Sequence, residues 1–277
     1  MRRKYFCVLA SLILITNPGH FDRRILQEQR MEMPAVERAN LVIAGGHKLP
    51  KEVYETFFEL VGGKEKLIVV IPTASCDPDD MDHLARLWMK GARNLKTIHT
   101  TSRCEANNPQ FSAILERADG VWLTGGDQER LANAYRGTLV HKRLIELLNR
   151  GGVIGGTSAG AAVMTRVMIA GERSKCWFSN RMRPVPGEGF GFLPGGITDQ
   201  HSSQRYRGPR MKEMLSNYPH LYGLAVDERT AAVVRVEGSE ITACAIGYHK
   251  VLLFQNGSGK PLISELKREN KALLAQE

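Results

Sequence analysis

The stretch Gly152-Val-Ile-Gly-Gly-Thr-Ser-Ala-Gly-Ala-Ala162 decides the fold. Gly152 to Gly156 is a short apolar run bounded by glycine, which predicts a buried strand. Ala159 to Met168 carries small and apolar side chains and predicts a helix. Between them, Gly156-Thr-Ser-Ala-Gly160 is a G-x-S-x-G sequence at the turn from strand to helix. A nucleophile elbow needs that context, because glycines allow a strained turn that pushes Ser158 Oγ out at the strand end. The Ala159 N–H then faces the space where an oxyanion would form. A serine before a helix can also be a plain N-cap; the strand-turn-helix context favours the nucleophile.

Outward from this element, the same alternation repeats. Asn40 to Gly46, Leu67 to Ile71, Leu95 to Ile98 and Gly120 to Thr124 read as buried strands. Between them, helical spacing runs over Leu49 to Val61, Met81 to Gly91, Pro109 to Arg117, Glu129 to Tyr135 and Val140 to Asn149. Strands alternating with helices predict an α/β fold with a parallel sheet flanked by helices on both faces, its binding crevice at the strands' carboxyl ends. Past Gly223 the strands come close together: Leu224 to Val226, Ala231 to Val236, Ile241 to Ile246 and Val251 to Phe254. These predict an antiparallel C-terminal extension of the same sheet.

The N-terminus reads as an export signal. Arg2, Arg3 and Lys4 precede the apolar run Phe6 to Ile15, and Asn17-Pro18-Gly19 breaks it. The expected organisation is a signal peptide over 1–19, a polar linker over 20–38, one α/β domain over 39–263 and a charged tail over 264–277. The protein is therefore expected to be exported, to a periplasm or the extracellular space. Composition excludes little else. The balance of 38 Lys+Arg against 29 Asp+Glu gives +9, but the basic residues are dispersed without interleaved aromatics, which argues against nucleic acid as a partner. The cysteines show no C-x-x-C spacing and no histidine at ligand distance, so neither a metal site nor a cofactor is expected. Whether Cys76, Cys104, Cys176 and Cys244 pair or stay as thiols is open.

Three further segments end predicted strands. Gly125-Gly126-Asp127-Gln128 offers a bare backbone N–H and an amide side chain, or a tight turn with Asp127 capping the next helix. Asp199-Gln200-His201 offers a base for the serine, followed by Arg205, Arg207 and Arg210, whose planar forks suit carboxylates. Asp227-Glu228 can hold a cation or form salt bridges.

With Ser158 at the centre, these segments resemble the cyanophycinase family, serine peptidases that also include aspartyl dipeptidase. The resemblance rests on Leu123-Thr-Gly-Gly-Asp-Gln128, Gly156 to Ala162, Asp199-Gln-His-x-x-x-Arg-x-Arg-x-x-Arg210 and Gly223-Leu-Ala-Val-Asp-Glu228, in that order, with Val69 to Ser75 upstream. It covers roughly Asn40 to Phe254. It implies a fold similar to class I glutamine amidotransferases, Ser158 as nucleophile, His201 as base, and an oxyanion hole at the Gly126 and Ala159 N–H groups. It implies Gln128, Asp199, Gln200, Arg205, Arg207 and Arg210 as substrate-binding residues, and it suggests a homodimer. The implied substrate is cyanophycin, a polyaspartate with arginine on each side chain, or a related β-aspartyl peptide. Ser202 departs from the family, which has an aromatic there, and Arg173 to Arg183 is unusually basic. The triad acid is expected between serine and histidine; Glu172 and Glu188 lie there, and Glu172 is the expected one.

Two other readings share the serine. An α/β-hydrolase esterase would use Ser158, Asp227 and His249, although no His-Gly-Gly-Gly motif accompanies it. A binding protein of the same fold would keep the residues without turnover.

Overall fold

In the computed structural model, residues 31–75, 89–174, 182–257, 261–268 and 271–275 are described. The expected signal peptide and the expected helix over Met81 to Gly91 fall, wholly or largely, outside them. The main sheet is built on β1 (Arg38–Ala44). On one side β5 (Val153–Thr157), β4 (Gly120–Leu123), β2 (Leu67–Ile71) and β3 (Asn94–Thr97) follow in that order, all parallel. On the other side lie β10 (Thr230–Glu237), β11 (Glu240–Gly247) and β14 (Ala272–Ala275), all antiparallel.

The strands are apolar on both faces because both are covered. Val42, Ile68, Val70 and Trp122 point to one layer, packed on Val53, Phe57 and Val61 of α1 (Lys51–Val61). Leu41, Ile43, Val69, Val121 and Leu123 point to the other, with Leu131 and Tyr135 of α5 (Gln128–Tyr135) and Leu144 and Leu148 of α6 (Leu139–Asn149). Adjacent residues therefore face opposite layers, as strand geometry requires. The expected helix Pro109 to Arg117 is two turns, α3 (Pro109–Ser112) and α4 (Ile114–Arg117), preceded by α2 (Arg103–Ala106).

A second sheet carries half of the site. In it β8 (Gly196–Gln200) lies parallel to β9 (Tyr222–Val226), with β12 (Val251–Gln255) and β13 (Leu262–Glu265) antiparallel beyond. Only β10 and β11 of the four expected C-terminal strands extend the main sheet; β9 and β12 belong to this second one. Residues 264–277, expected as a charged tail, contribute to β13 and β14 at the outer edges of both sheets. A hairpin of β6 (Val167–Ser174) and β7 (Met182–Glu188) forms a third, two-stranded sheet, and α8 (Gly208–Asn217) packs Met211, Met214 and Leu215 on Ile197, Ala225 and Phe254 of the second sheet.

The helix after the elbow, α7 (Ala159–Ala162), is one turn, not the ten residues expected. The Thr165 hydroxyl donates to the Val167 carbonyl at 2.9 Å and lies 3.3 Å from that of Ala162, and the chain leaves the helix here, where β-branched Val163, Thr165 and Val167 alternate with Met164 and Arg166, and enters β6. The turn sits directly on the strands. A Cβ on Gly160 would stand 2.2 Å from the Leu123 carbonyl oxygen, and one on Gly156 2.6 Å from the Gly160 oxygen. Only glycine at these two positions lets α7 lie that close.

Candidate active site

Ser158 occupies the turn between β5 and α7 with φ 53° and ψ −113°, a backbone state that a serine holds only under constraint. Its hydroxyl makes no capping bond to the helix. It donates instead to Nε2 of His201 at 2.9 Å. On the other side of the ring, Nδ1–H donates to Glu228 Oε1 at 2.6 Å. The pair of contacts fixes one neutral tautomer, with Nε2 free to accept a proton. Burial is the main reason the imidazole is held below its ordinary pKa; the Glu228 hydrogen bond opposes this, while the charges of Arg205 and Arg207 add to it.

Two sheets supply these three residues, and their ends meet because of strand order. Ser158 follows β5. His201 follows β8, and Glu228 lies just past β9. The parallel register of β8 and β9 pairs Gln200 with Val226, so the residues after those two emerge side by side. The terminus of β1 stitches the parts together. Ala44 O accepts Ser158 N–H at 3.0 Å, Gly45 O accepts His201 N–H at 3.0 Å and Gly46 O accepts Arg229 N–H at 3.0 Å.

The carboxylate that meets the histidine is thus Glu228, where Glu172 was expected. Glu172 lies on β6, where its backbone pairs with Pro184. Glu188, the other carboxylate between serine and histidine, is ion-paired with Arg136 at 2.5 Å. The esterase arrangement also fails. Asp227 is a backbone clasp, accepting Ser203 N–H at 2.8 Å and Lys250 N–H at 3.3 Å, and His249 is exposed, its N–H bonded to Thr230 Oγ1 at 2.8 Å.

A cleft of about 160 Å³ opens over Ser158 and is lined by Gly126, Gln128, Gln200 and the three arginines, among others. Gly126, at φ 137°, could not be another residue: its Cβ would stand 2.0 Å from the Ala74 carbonyl oxygen. Among the described residues, neither the Gly126 nor the Ala159 backbone N–H has an acceptor, so both remain available beside Ser158. Asp127 caps α5 by accepting from Glu129 N–H at 2.8 Å.

The other residues expected to bind substrate divide by what they already hold. Asp199 is fully buried and receives Arg210 in a bidentate pair, with Nε at 2.7 Å from Oδ2. Arg207 Nη1 lies 3.6 Å from the same carboxylate and donates to Gln200 O at 2.7 Å. Asp199 is therefore the anchor that aims two arginines, not a group facing a ligand. Gln128 Nε2 donates to the carbonyls of Ile169 and Ala170 at 2.9 and 2.8 Å and fastens β6 to the cleft wall. Gln200 is buried with its Nε2 3.4 Å from Thr198 Oγ1. Arg205 is exposed and has no ion pair among the described residues. No group of three His, Cys, Asp or Glu side chains gathers among the described residues to hold a metal ion.

A model of peptidase family S51 matches residues 41–243. The cyanophycinase of Geminocystis herdmanii (strain PCC 6308) is 34% identical over 202 residues, covering 71% of this chain and 74% of that protein. The cyanophycinase of a Nostoc species is 36% identical over 234 residues, covering 80% of this chain and 78% of that one. Among solved structures, a peptidase from an acI-B1 Actinobacterium superposes with a TM-score of 0.67 over 86% of this chain and 98% of its own, at 20% identity. At that identity the superposition speaks for the fold.

Proposed function

This chain belongs to peptidase family S51, a family of serine peptidases, and from there we propose that it hydrolyses cyanophycin or related β-aspartyl peptides, with Ser158 as nucleophile and His201 as base. The observation that carries the reading is the contact chain Ser158 Oγ, His201 Nε2, His201 Nδ1, Glu228 Oε1 at 2.9 and 2.6 Å, at the floor of a cleft rich in arginine.

The steps follow from positions. His201 Nε2 takes the serine proton as Oγ attacks the substrate carbonyl. Glu228 holds the ring in the productive tautomer and stabilises the imidazolium that forms. The tetrahedral oxyanion turns toward the Gly126 and Ala159 N–H groups. Preorganised donors of this kind are worth roughly 10²–10³ in kcat each. His201 then returns the proton to the leaving amine, and water attacks the acyl-enzyme by the same route. Arg205, exposed and without an ion pair among the described residues, and Arg207 and Arg210, aimed by Asp199, suit the carboxylates that such a substrate carries. We place the mature protein outside the cytoplasm, on the basic n-region and short apolar run at its N-terminus; N-terminal sequencing of native protein should find cleavage between Thr16 and Arg24, and an intact Met1 in a cytosolic fraction would remove this placement.

The test is to incubate the mature chain with cyanophycin, β-aspartyl dipeptides and a simple ester, with product identification. Release of β-aspartyl-arginine from the polymer is expected. Hydrolysis of the ester alone would overturn the reading.

A further inference from the structure

Thr73 follows β2, Thr100 follows β3 and Tyr135 closes α5; all three are buried, and their polar groups meet. Thr100 N–H donates to Tyr135 Oη at 3.0 Å, and Tyr135 Oη lies 2.7 Å from Thr73 Oγ1. Thr73 Oγ1 in turn lies 2.9 Å from His99 Nδ1. Burial first, and the Arg130 charge second, hold the His99 imidazole below its ordinary pKa, against a raising contribution from Glu105. With the ring neutral and Nδ1 an acceptor, one direction satisfies every member: the phenol donates to Thr73, and Thr73 donates to His99. A buried network with each of its hydrogen bonds made specifies one arrangement of the segments it joins.

The segment so held is the loop Pro72 to Ser75. Ser75 N–H donates to Pro72 O at 2.8 Å and closes it as a turn. Both ends of α5 grip this loop. Tyr135, in the last turn, holds Thr73; Arg130, in the first, donates through Nη1 to Ser75 O at 2.7 Å. Between the two grips lies Ala74, and Gly126 rests on its carbonyl. A Cβ on Gly126 would stand 2.0 Å from Ala74 O, 2.5 Å from Ala74 C and 3.0 Å from Ser75 N. Ala74 O also accepts Asp127 N–H at 2.9 Å. Gly126 has no side chain of its own to fix its peptide plane, and its φ of 137° is one that glycine leaves freely. Its orientation therefore comes from the loop it lies on.

We propose that Thr73 and Tyr135 are positioning residues for the cleft: through Ala74 they set the attitude of Gly126, whose backbone N–H has no acceptor among the described residues and which lines the cleft with Ser158. This rests on the peptidase reading above, which makes that N–H an oxyanion donor. Apolar side chains would fill the same space, but hydrogen bonds also fix the angle at which the loop presents its carbonyl.

The experiment compares wild type with Thr73→Val, Thr73→Ser and Tyr135→Phe on a trimer of β-aspartyl-arginine units. Valine keeps the shape of threonine and loses the hydroxyl; serine keeps the hydroxyl. In Thr73→Val and Tyr135→Phe, kcat should fall roughly five- to thirtyfold, short of the 10²–10³ of a deleted donor, with KM unchanged. Thr73→Ser should retain the wild-type kcat. A β-aspartyl-arginine aldehyde, whose adduct with Ser158 puts an oxygen before the same donors, should bind more weakly by the same factor as kcat. A lower Tm with kcat and aldehyde affinity unchanged overturns the proposal, as does a loss confined to KM or shared by Thr73→Ser. Amide hydrogen exchange at Asp127, relative to Val121 in β4, is read in the same four proteins without substrate. It should quicken in Thr73→Val and Tyr135→Phe and stay at the wild-type rate in Thr73→Ser. If wild type cleaves neither the trimer nor cyanophycin, the peptidase reading falls by itself. Unchanged exchange at Asp127 then overturns the positioning role, and quickened exchange upholds it.

Discussion

Gly46 lies flat against the imidazole of His201: a Cβ built at Gly46 would stand 2.3 Å from Cε1, 2.6 Å from Nε2 and 3.0 Å from Nδ1. The backbone of β1's terminus is thus the wall that keeps the ring over Ser158. Gly46→Ala must displace the ring, and displacement of about 1 Å can cost on the order of 10² in kcat. The alanine also pays for φ 107°, roughly 1–2 kcal/mol of stability. Gly238→Ala separates the two effects, since that glycine sits at φ 58° with nothing within 4 Å of the added methyl. It should lower Tm and leave kcat alone. If both variants lose Tm and neither loses kcat, the wall is structural only.

The acid is tested by exchanging two glutamates. Glu228→Gln keeps the shape and removes the charge that steadies the imidazolium, so kcat should fall roughly 10²–10⁴-fold. Glu172→Gln should stay near wild type. A large loss in Glu172→Gln with little in Glu228→Gln would return the acid to the hairpin. His201→Ala should abolish turnover while His249→Ala leaves most of it.

A histidine serving as general base works only when neutral. Because burial, Arg205 and Arg207 hold His201 below its ordinary 6.5, the acid limb of kcat/KM is expected to have its midpoint below that value. Arg205→Gln removes one of the repelling charges, so its midpoint should move upward. Glu228→Gln removes a group that favours the imidazolium, so its midpoint should move downward. Profiles that shift the opposite way would mean that another group controls the limb.

His141 gives the fold a pH dependence of its own. Its Nδ1 accepts Gly137 N–H at 3.1 Å and its Nε2–H donates to Phe190 O at 2.8 Å. Burial first, and the Arg136 charge second, push its pKa down to about 4, against a raising contribution from the Phe190 carbonyl. The unfolded chain takes up this proton near 6.5, whereas the fold resists it until about 4. Stability from this residue is therefore complete above 6.5 and drains as pH falls toward 4, by about 3 kcal/mol. Urea unfolding at several pH values should show a steeper loss in wild type than in His141→Gln. Equal slopes would remove His141 from the account.

The elbow was legible in sequence because strand, turn and helix are consecutive, and each is signalled by nearby residues. His201 was legible for a similar reason, at the end of an apolar run. Glu228 was not assigned its place because chain order was read as site order: the acid was sought between Ser158 and His201, whereas the neighbour relation of β8 and β9 brings it from beyond. Asp199 was read as facing a ligand because nothing local shows that Arg210, eleven residues on, returns across α8's first turn to hold it. The length of α7 and the strands in residues 264–277 were missed where short apolar runs leave helix and strand indistinguishable by period. Gly45 and Gly46 were seen as the end of a strand; their role appears only when the histidine is laid against them.

A seam runs through the chemistry. Ser158 stands on the main sheet, while His201 and Glu228 stand at strand ends of the second, joined to it through the carbonyls of Gly45 and Gly46. The gap between Ser158 Oγ and His201 Nε2 therefore behaves as a gauge of how the two layers are registered. A slip of an ångström leaves nearly every strand bond intact and is invisible to circular dichroism, but it opens the proton path. Turnover should consequently vanish some degrees before ellipticity on heating. Substitutions far from the cleft that loosen only the packing of α8 on the second sheet should widen that interval, lowering the temperature at which the enzyme falls silent more than the temperature at which it unfolds.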